Sequence, residues 1–204
     1  MGMPDHFAKA PSIIVHDGLA ELLGSAESGR IRHEFADAVR LTGHACPTVA
    51  GAWLMVHAAL RALYPDGPAE RGDIEVDMSA YEDEGTTGVI AQVFTLVTGA
   101  AASNGFHGIG GHHVRQDLLS FGHAEDDSIA TFRRRDNGAA VAVSMDLSTM
   151  PSPPHMKPLM MQALAQDATA ETRQAFAQVW QDRVRRLLLE HADDPQVIRV
   201  QACA

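Results

Sequence analysis

The amino-acid sequence predicts an α+β protein, with a mixed or antiparallel sheet packed against helices and a helical C-terminal extension. Three observations carry that expectation. Residues 47–63 place Val49, Trp53, Val56, Leu60 and Leu63 at helical spacing behind a proline, the pattern of a buried helix. Ile74, Val76 and Met78 alternate with Asp73, Glu75 and Asp77, and two further alternating stretches, 128–135 and 139–147, meet at Asn137-Gly138, as strands joined by a hairpin do. Phe176, Val179, Trp180, Val184, Leu187 and Leu188 then form one apolar stripe along residues 170–191, and such a stripe needs a surface to cover it.

Each element follows in chain order. Residues 17–23 and 31–41 read as short helices, the second with Phe35, Ala38 and Val39 on one side. Within 47–63, Ala50, Gly51 and Ala52 leave a face thin enough for close backbone approach, and Tyr64-Pro65-Asp66-Gly67-Pro68 ends the helix. After the strand at 73–78 and the acidic turn at 81–85, Thr86 is placed to cap a second apolar helix over 87–98, closed by Gly99. Residues 100–111 are small and glycine-rich, so they predict a loop, and with the stretch to Leu119 they form the expected functional loop. Pro151-Ser152-Pro153-Pro154 marks a boundary. It separates a domain over 1–150 from a helical extension over 151–204, with helices at 156–165 and 170–191 and a final strand at 197–200. The extension is expected to dock on the domain or on the partner of a homodimer.

Sixteen Lys and Arg against twenty-six Asp and Glu leave a formal charge of −10, the wrong sign for affinity built on neutralising phosphates, so nucleic acid is excluded as a partner. Arg133, Arg134 and Arg135 precede Asp136 and read as a solvated strand end. Apolar runs are interrupted well before the ~18 residues a membrane span requires, and ten Pro with seventeen Gly rule out a long coiled coil. Cys46 and Cys203 do not make a disulfide framework, and the N-terminal residues lack a basic-then-apolar signal, so a reducing, cytoplasmic setting is expected. The unusual count is eleven histidines beside only two lysines, Lys9 and Lys157, which directs attention to imidazole chemistry.

The densest constellation is Thr42-Gly43-His44-Ala45-Cys46-Pro47. Proline suits the first helical position because its missing N–H has no partner there anyway, so Pro47 sets Cys46 at the N-cap. A sulfur at that place faces free backbone N–H groups and the positive helix end, surroundings that favour the thiolate form used in metal binding and nucleophilic attack. In an extended approach His44 projects to the same side as Cys46, and Gly43 permits the sharp turn that aims them. One His and one Cys are half of a tetrahedral zinc site.

A second cluster, His107, His112 and His113, stands among Gly108, Gly110 and Gly111. Adjacent His112 and His113 point to opposite faces of an extended segment, so at most one of them faces a site, and His113 is the slightly favoured choice. Gly108-Ile109-Gly110-Gly111 lacks the Lys-Ser/Thr of a phosphate loop and the spaced glycines of a dinucleotide fingerprint. A metal-free alternative makes Cys46 a nucleophile with His44 or His113 as base, oriented by Asp77, Glu82, Asp83 or Glu84.

At Gly43-His44-Ala45-Cys46-Pro47, with Gly51 beyond, the chain resembles the FmdE-like family, named for formylmethanofuran dehydrogenase, whose signature is Gly-His-x-Cys-Pro before a small-residue helix. The resemblance covers roughly residues 15–150 and includes Val97-Thr98-Gly99-Ala100-Ala101, where family members often carry Thr-Gly-Cys-Thr. It implies an α+β domain, commonly dimeric, that binds a metal, usually zinc, through the positions of His44 and Cys46. Ala100 and Ala101 stand where a second cysteine is expected, Thr48 replaces a glycine, and no cysteine-rich zinc ribbon follows. With that thiolate missing, His113, His107 or His112 would complete a site for zinc or another divalent transition metal. Such a site keeps an open position for a small-molecule substrate, with Glu84 as proton carrier. The alternative is a non-catalytic carrier or sensor of metal or haem.

Overall fold

The computed structural model describes residues 2–123 and 127–203 and is α+β. Among the described residues, eight strands form two sheets. The smaller has the order β2-β1-β3, from β1 (Ile13–His16), β2 (Arg30–His33) and β3 (Ala69–Glu70), with β1 antiparallel to β2 and parallel to β3. The larger has the order β5-β4-β6-β7-β8, from β4 (Ile74–Met78), β5 (Leu119–Phe121), β6 (Ala130–Arg134), β7 (Ala140–Met145) and β8 (Ile198–Ala202). It is mixed, because β4 runs parallel to β5 while its other neighbours are antiparallel.

The helix at 47–63 forms as α3 (Pro47–Leu63) and is buried around most of its circumference. It packs on β7 and β8, and also against α2 (Phe35–Thr42), α4 (Thr87–Thr98) and α6 (Ala170–Glu190). A helix enclosed in this way has no wet face to preserve, which accounts for its near-continuous apolar sequence. Its small-residue face meets the sheet at Gly51, where a Cβ would collide with the Met145 sulfur of β7. β4 buries Ile74, Val76 and Met78 and turns Glu75 and Asp77 outward, as its alternation requires.

Several sequence expectations are corrected. Residues 31–41 are not one helix. Arg30–His33 is a strand paired with β1, and the helix begins only at Phe35, where the Asp37 carboxylate accepts from the Glu34 backbone N–H at 2.8 Å. The helix cue is a capping interaction inside the stretch rather than before it. Asp17 instead caps the short α1 (Gly18–Leu22), accepting from Leu19 and Ala20 N–H. Thr86 occupies the N-cap of α4, but its hydroxyl makes no capping bond. At the 130–145 hairpin, Gly138 alone takes a positive φ (76°), and Asn137 Oδ1 accepts from Ala139 N–H, so the connection is longer than a two-residue turn.

Arg134 is not simply solvated. It lies over the Tyr64 ring at 4.1 Å, donates to Leu63 O and pairs with Asp136. The C-terminal residues join the main core, with α5 (Met156–Leu164) against α6, Val184, Leu187 and Leu188 of α6 fully buried, and β8 completing the sheet edge beside β7. No helix among the described residues is long and apolar enough to cross a membrane.

Candidate functional site

The segment between α2 and α3 takes its shape from local chemistry. Gly43 ends α2 in the left-handed conformation (φ 76°), a geometry that glycine adopts without penalty. The single Thr42 hydroxyl hydrogen is shared between two acceptors, Ala38 O at 2.9 Å and His44 O at 3.0 Å. His44 is exposed, and its Nδ1 lies 3.0 Å from Thr42 O. A carbonyl only accepts, so Nδ1 is the donor, and in the neutral tautomer that this bond selects the lone pair is on Nε2. Cys46 is the N-cap of α3 in extended conformation, with Pro47 at the first helical position; its sulfur accepts from Val49 N–H at 3.4 Å, and the residue is 9% exposed. The carbonyl of Ala45, between the two, receives Trp180 Nε1–H at 2.9 Å and the Gln181 amide at 3.3 Å, so α6 holds the motif from a distance of more than 130 positions in the chain. Gln181 Oε1 is buried there without a partner among the described residues.

The loop histidines stand apart from this segment. Ile109 and His112 exchange two backbone hydrogen bonds of 2.9 and 3.0 Å around Gly110 and Gly111, whose φ values of 58° and 83° make a tight hairpin turn. The glycines at 110 and 111 therefore serve turn geometry. His107 and His112 are exposed. His113 is half-buried with φ 57°, its ring centroid is 6.5 Å from that of His112, and its edge faces Gly18 at the start of α1. Glu84 is exposed and accepts from Tyr81 N–H at 3.3 Å in the turn before α4. Among the described residues, no three His, Cys, Asp or Glu side chains gather into a metal-binding set. Thus His44 and Cys46 share one short segment, while His107, His112, His113 and Glu84 lie on other loops. Ala100, at the position of the expected second cysteine, is fully buried directly after the Gly99 cap of α4.

The structure also assembles a polar centre that sequence reading missed. Asp17, nearly fully buried, accepts from Arg71 at 2.7 Å through one oxygen and from Arg115 at 2.8 Å through the other. Arg115 reaches back to donate to Arg71 O, and Arg71 donates to Leu96 O, on the last turn of α4. Burial works to raise the Asp17 carboxyl, but the hydrogen bond from Arg71 and the charge of Arg115 outweigh it and hold the group below its ordinary range. Burial, with the charge of Arg71 adding to it, pushes the nearby His33 imidazole down, and its Nε2 has no partner among the described residues. Gly72 makes the cluster possible, because a Cβ there would coincide with the Arg115 guanidinium. Positions 17, 33, 71 and 115 share no spacing signal; the one local cue is an aspartate before a short helix.

Arg71 and Arg115 line a wide cleft of about 1120 Å³ among the described residues, between α4, the 101–106 loop and the end of α2. Glu82 and Asp83 border it near the start of α4. The Gly99-Ala100-Ala101 turn therefore lies beside a cavity of substrate size.

A family model described as FmdE, molybdenum formylmethanofuran dehydrogenase operon, matches residues 41–194. The match starts just before the Gly43–Pro47 segment and runs through α5 and α6, so it begins later and extends further than the 15–150 stretch of the resemblance. No curated protein matches the chain.

Proposed function

Because the chain belongs to the FmdE family, we propose that it is a metal-binding protein of zinc type, with His44 Nε2 and Cys46 Sγ as the first two ligands. The observation that carries this reading is the bond from His44 Nδ1 to Thr42 O, which leaves Nε2 as the free electron pair in the way that ligating imidazoles are oriented. Cys46, two residues further on at the head of α3, supplies the sulfur donor. His113, or its neighbours His107 and His112, completes the set only if the 100–118 loop moves toward the α2–α3 segment when the ion arrives. An ion bound there, zinc or another divalent transition metal, would supply Lewis-acid polarisation to a small substrate or a water molecule. Thr42 and Trp180 hold the ligand backbone in place, and Glu84 is the proposed proton carrier, a role that needs its exposed turn to reach the same ligand. Homodimer assembly and a cytoplasmic setting belong to the same proposal.

Elemental analysis of purified protein beside Cys46→Ser tests it. Serine keeps an N-cap acceptor but removes the sulfur, so the variant should fold like the parent and lose metal, from on the order of one ion per chain to a small fraction of that. With cobalt in place of zinc, the parent should show a thiolate charge-transfer band that the variant lacks. Equal and negligible metal in both proteins refutes the reading.

A further inference from the structure

Two guanidinium groups around one carboxylate leave a positive charge over. Among the described residues, Asp17 is the only acid in ion-pair contact with Arg71 or Arg115, and burial favours the neutral form of His33 beside them. The side chains differ in access: Arg115 is 8% exposed and Arg71 is 23% exposed on the cleft wall. Arg71 uses one N–H of Nη1 on Asp17, and Nε and Nη2 each donate to Leu96 O. A guanidinium has two hydrogens on each terminal nitrogen, so each of those nitrogens keeps one N–H uncommitted. Asp17 and the end of α4 thus fix the plane of a guanidinium whose remaining donors have no protein partner among the described residues. Gln92, Thr95, Ser103 and Asn104 line the same cleft, and their side chains form no hydrogen bonds with the described residues.

The opposite end of the cleft has the opposite charge. The Glu82 backbone lies against Gly88, with Asp83 next to it in sequence on the cleft wall, and Gly99 lies next to Arg71; at 1.5 Å per helical residue Gly88 and Gly99 are about 16 Å apart along α4. A polyanion would be attracted at one end and repelled at the other.

We propose that this cleft binds an organic molecule with a single oxyanion head, carboxylate or phosphate, seated on Arg71, and an uncharged or cationic remainder directed toward Glu82 and Asp83. Asp17 and Arg115 are positioning residues, since they hold Arg71 through hydrogen bonds and are themselves almost fully buried. A planar guanidinium with two parallel donors is matched to carboxylate and phosphate oxygens, and a partly desolvated cation is strengthened by such a partner. The proposal requires no metal, so its failure and that of the His44–Cys46 reading are separate results.

The test is a titration of the ¹⁵N-labelled full chain with benzoate, phenylphosphate and neutral benzamide at fixed ionic strength, following the backbone amides of residues 101–106. At least one of the two anions should shift these amides saturably, with benzamide at least tenfold weaker, and the tighter anion identifies the head group. Arg71→Gln should remove the binding. Because that change also disturbs Asp17, Leu41→Glu and Leu41→Lys provide a second arm. Leu41 is 48% exposed on the cleft rim and takes no part in the Asp17 cluster. If the new charge stands on the order of 10 Å from the anion, it should weaken binding by roughly twofold as Glu and strengthen it by roughly twofold as Lys. Benzamide binding as well as the anions, the absence of saturable shifts, or identical affinity in the two Leu41 variants overturns the proposal.

Discussion

Gly72→Ala should be among the most damaging single-methyl additions in this protein. Gly72 has φ 87°, so any side chain there incurs left-handed strain, about 1–2 kcal/mol. The new Cβ would also occupy the position of the Arg115 guanidinium, which cannot yield without leaving Asp17. Both partners of that pair are buried, and breaking such a pair from one side costs about 3–5 kcal/mol because a charge is left without compensation. The expected loss is therefore about 4–7 kcal/mol, a large part of the 5–15 kcal/mol typical of a folded domain. Urea denaturation at neutral pH, followed by circular dichroism, measures it. The decisive comparison is a double-mutant cycle with Arg115→Ala. With no guanidinium to displace, Gly72→Ala should cost only the backbone strain, giving a coupling of about 3 kcal/mol or more. If Gly72→Ala costs the same in both backgrounds, the collision with Arg115 is not the cause and the account of the cluster is wrong.

Two further outcomes are expected. Trp180→Phe keeps the ring and loses the bond to Ala45 O, so it should cost about 0.5–1.5 kcal/mol and weaken metal retention; a parent-like metal content with that stability loss would separate the latch from the ligand geometry. Stability should also fall as pH drops from 7 toward about 5. Burial pushes His33 and His57 below the ordinary 6.5, so the unfolded chain takes up protons first, and the stability held above that value is lost as pH falls through it. His16 works the other way, since its hydrogen bond to Glu70 raises it and its contribution is lost as pH rises through the folded value. His33→Gln should flatten the acid slope, and an unchanged slope in both His33→Gln and His57→Gln would count against burial as its source.

The parts of the fold legible in advance are those in which one short stretch carries its own instructions. α3 and α4 match their expected bounds because long apolar runs behind a proline or before a glycine leave few alternatives. β4, β6 and β7 follow from period-two alternation, and Cys46 at the N-cap follows from Pro47 alone. β1, β3 and β5 escape a sequence reading because two to four residues are too few to display a period, and because β1–β3 and β4–β5 pair in parallel between distant segments. In the site, the His44–Cys46 segment is visible as a motif, whereas the placement of His107, His112 and His113 depends on a glycine turn whose direction the sequence does not reveal.

By itself, then, the amino-acid sequence determined the α+β class, the central helix, the hairpin and the His-x-Cys segment, each by interactions within about twenty residues. The tertiary structure alone decided that Asp17 joins Arg71 and Arg115, that Trp180 clasps Ala45, and that a cleft opens beside α4. The physical reason is that a charge, a donor or an empty volume has no periodicity: its partner is whatever the packed chain brings within a few ångströms, up to 135 residues away in these contacts.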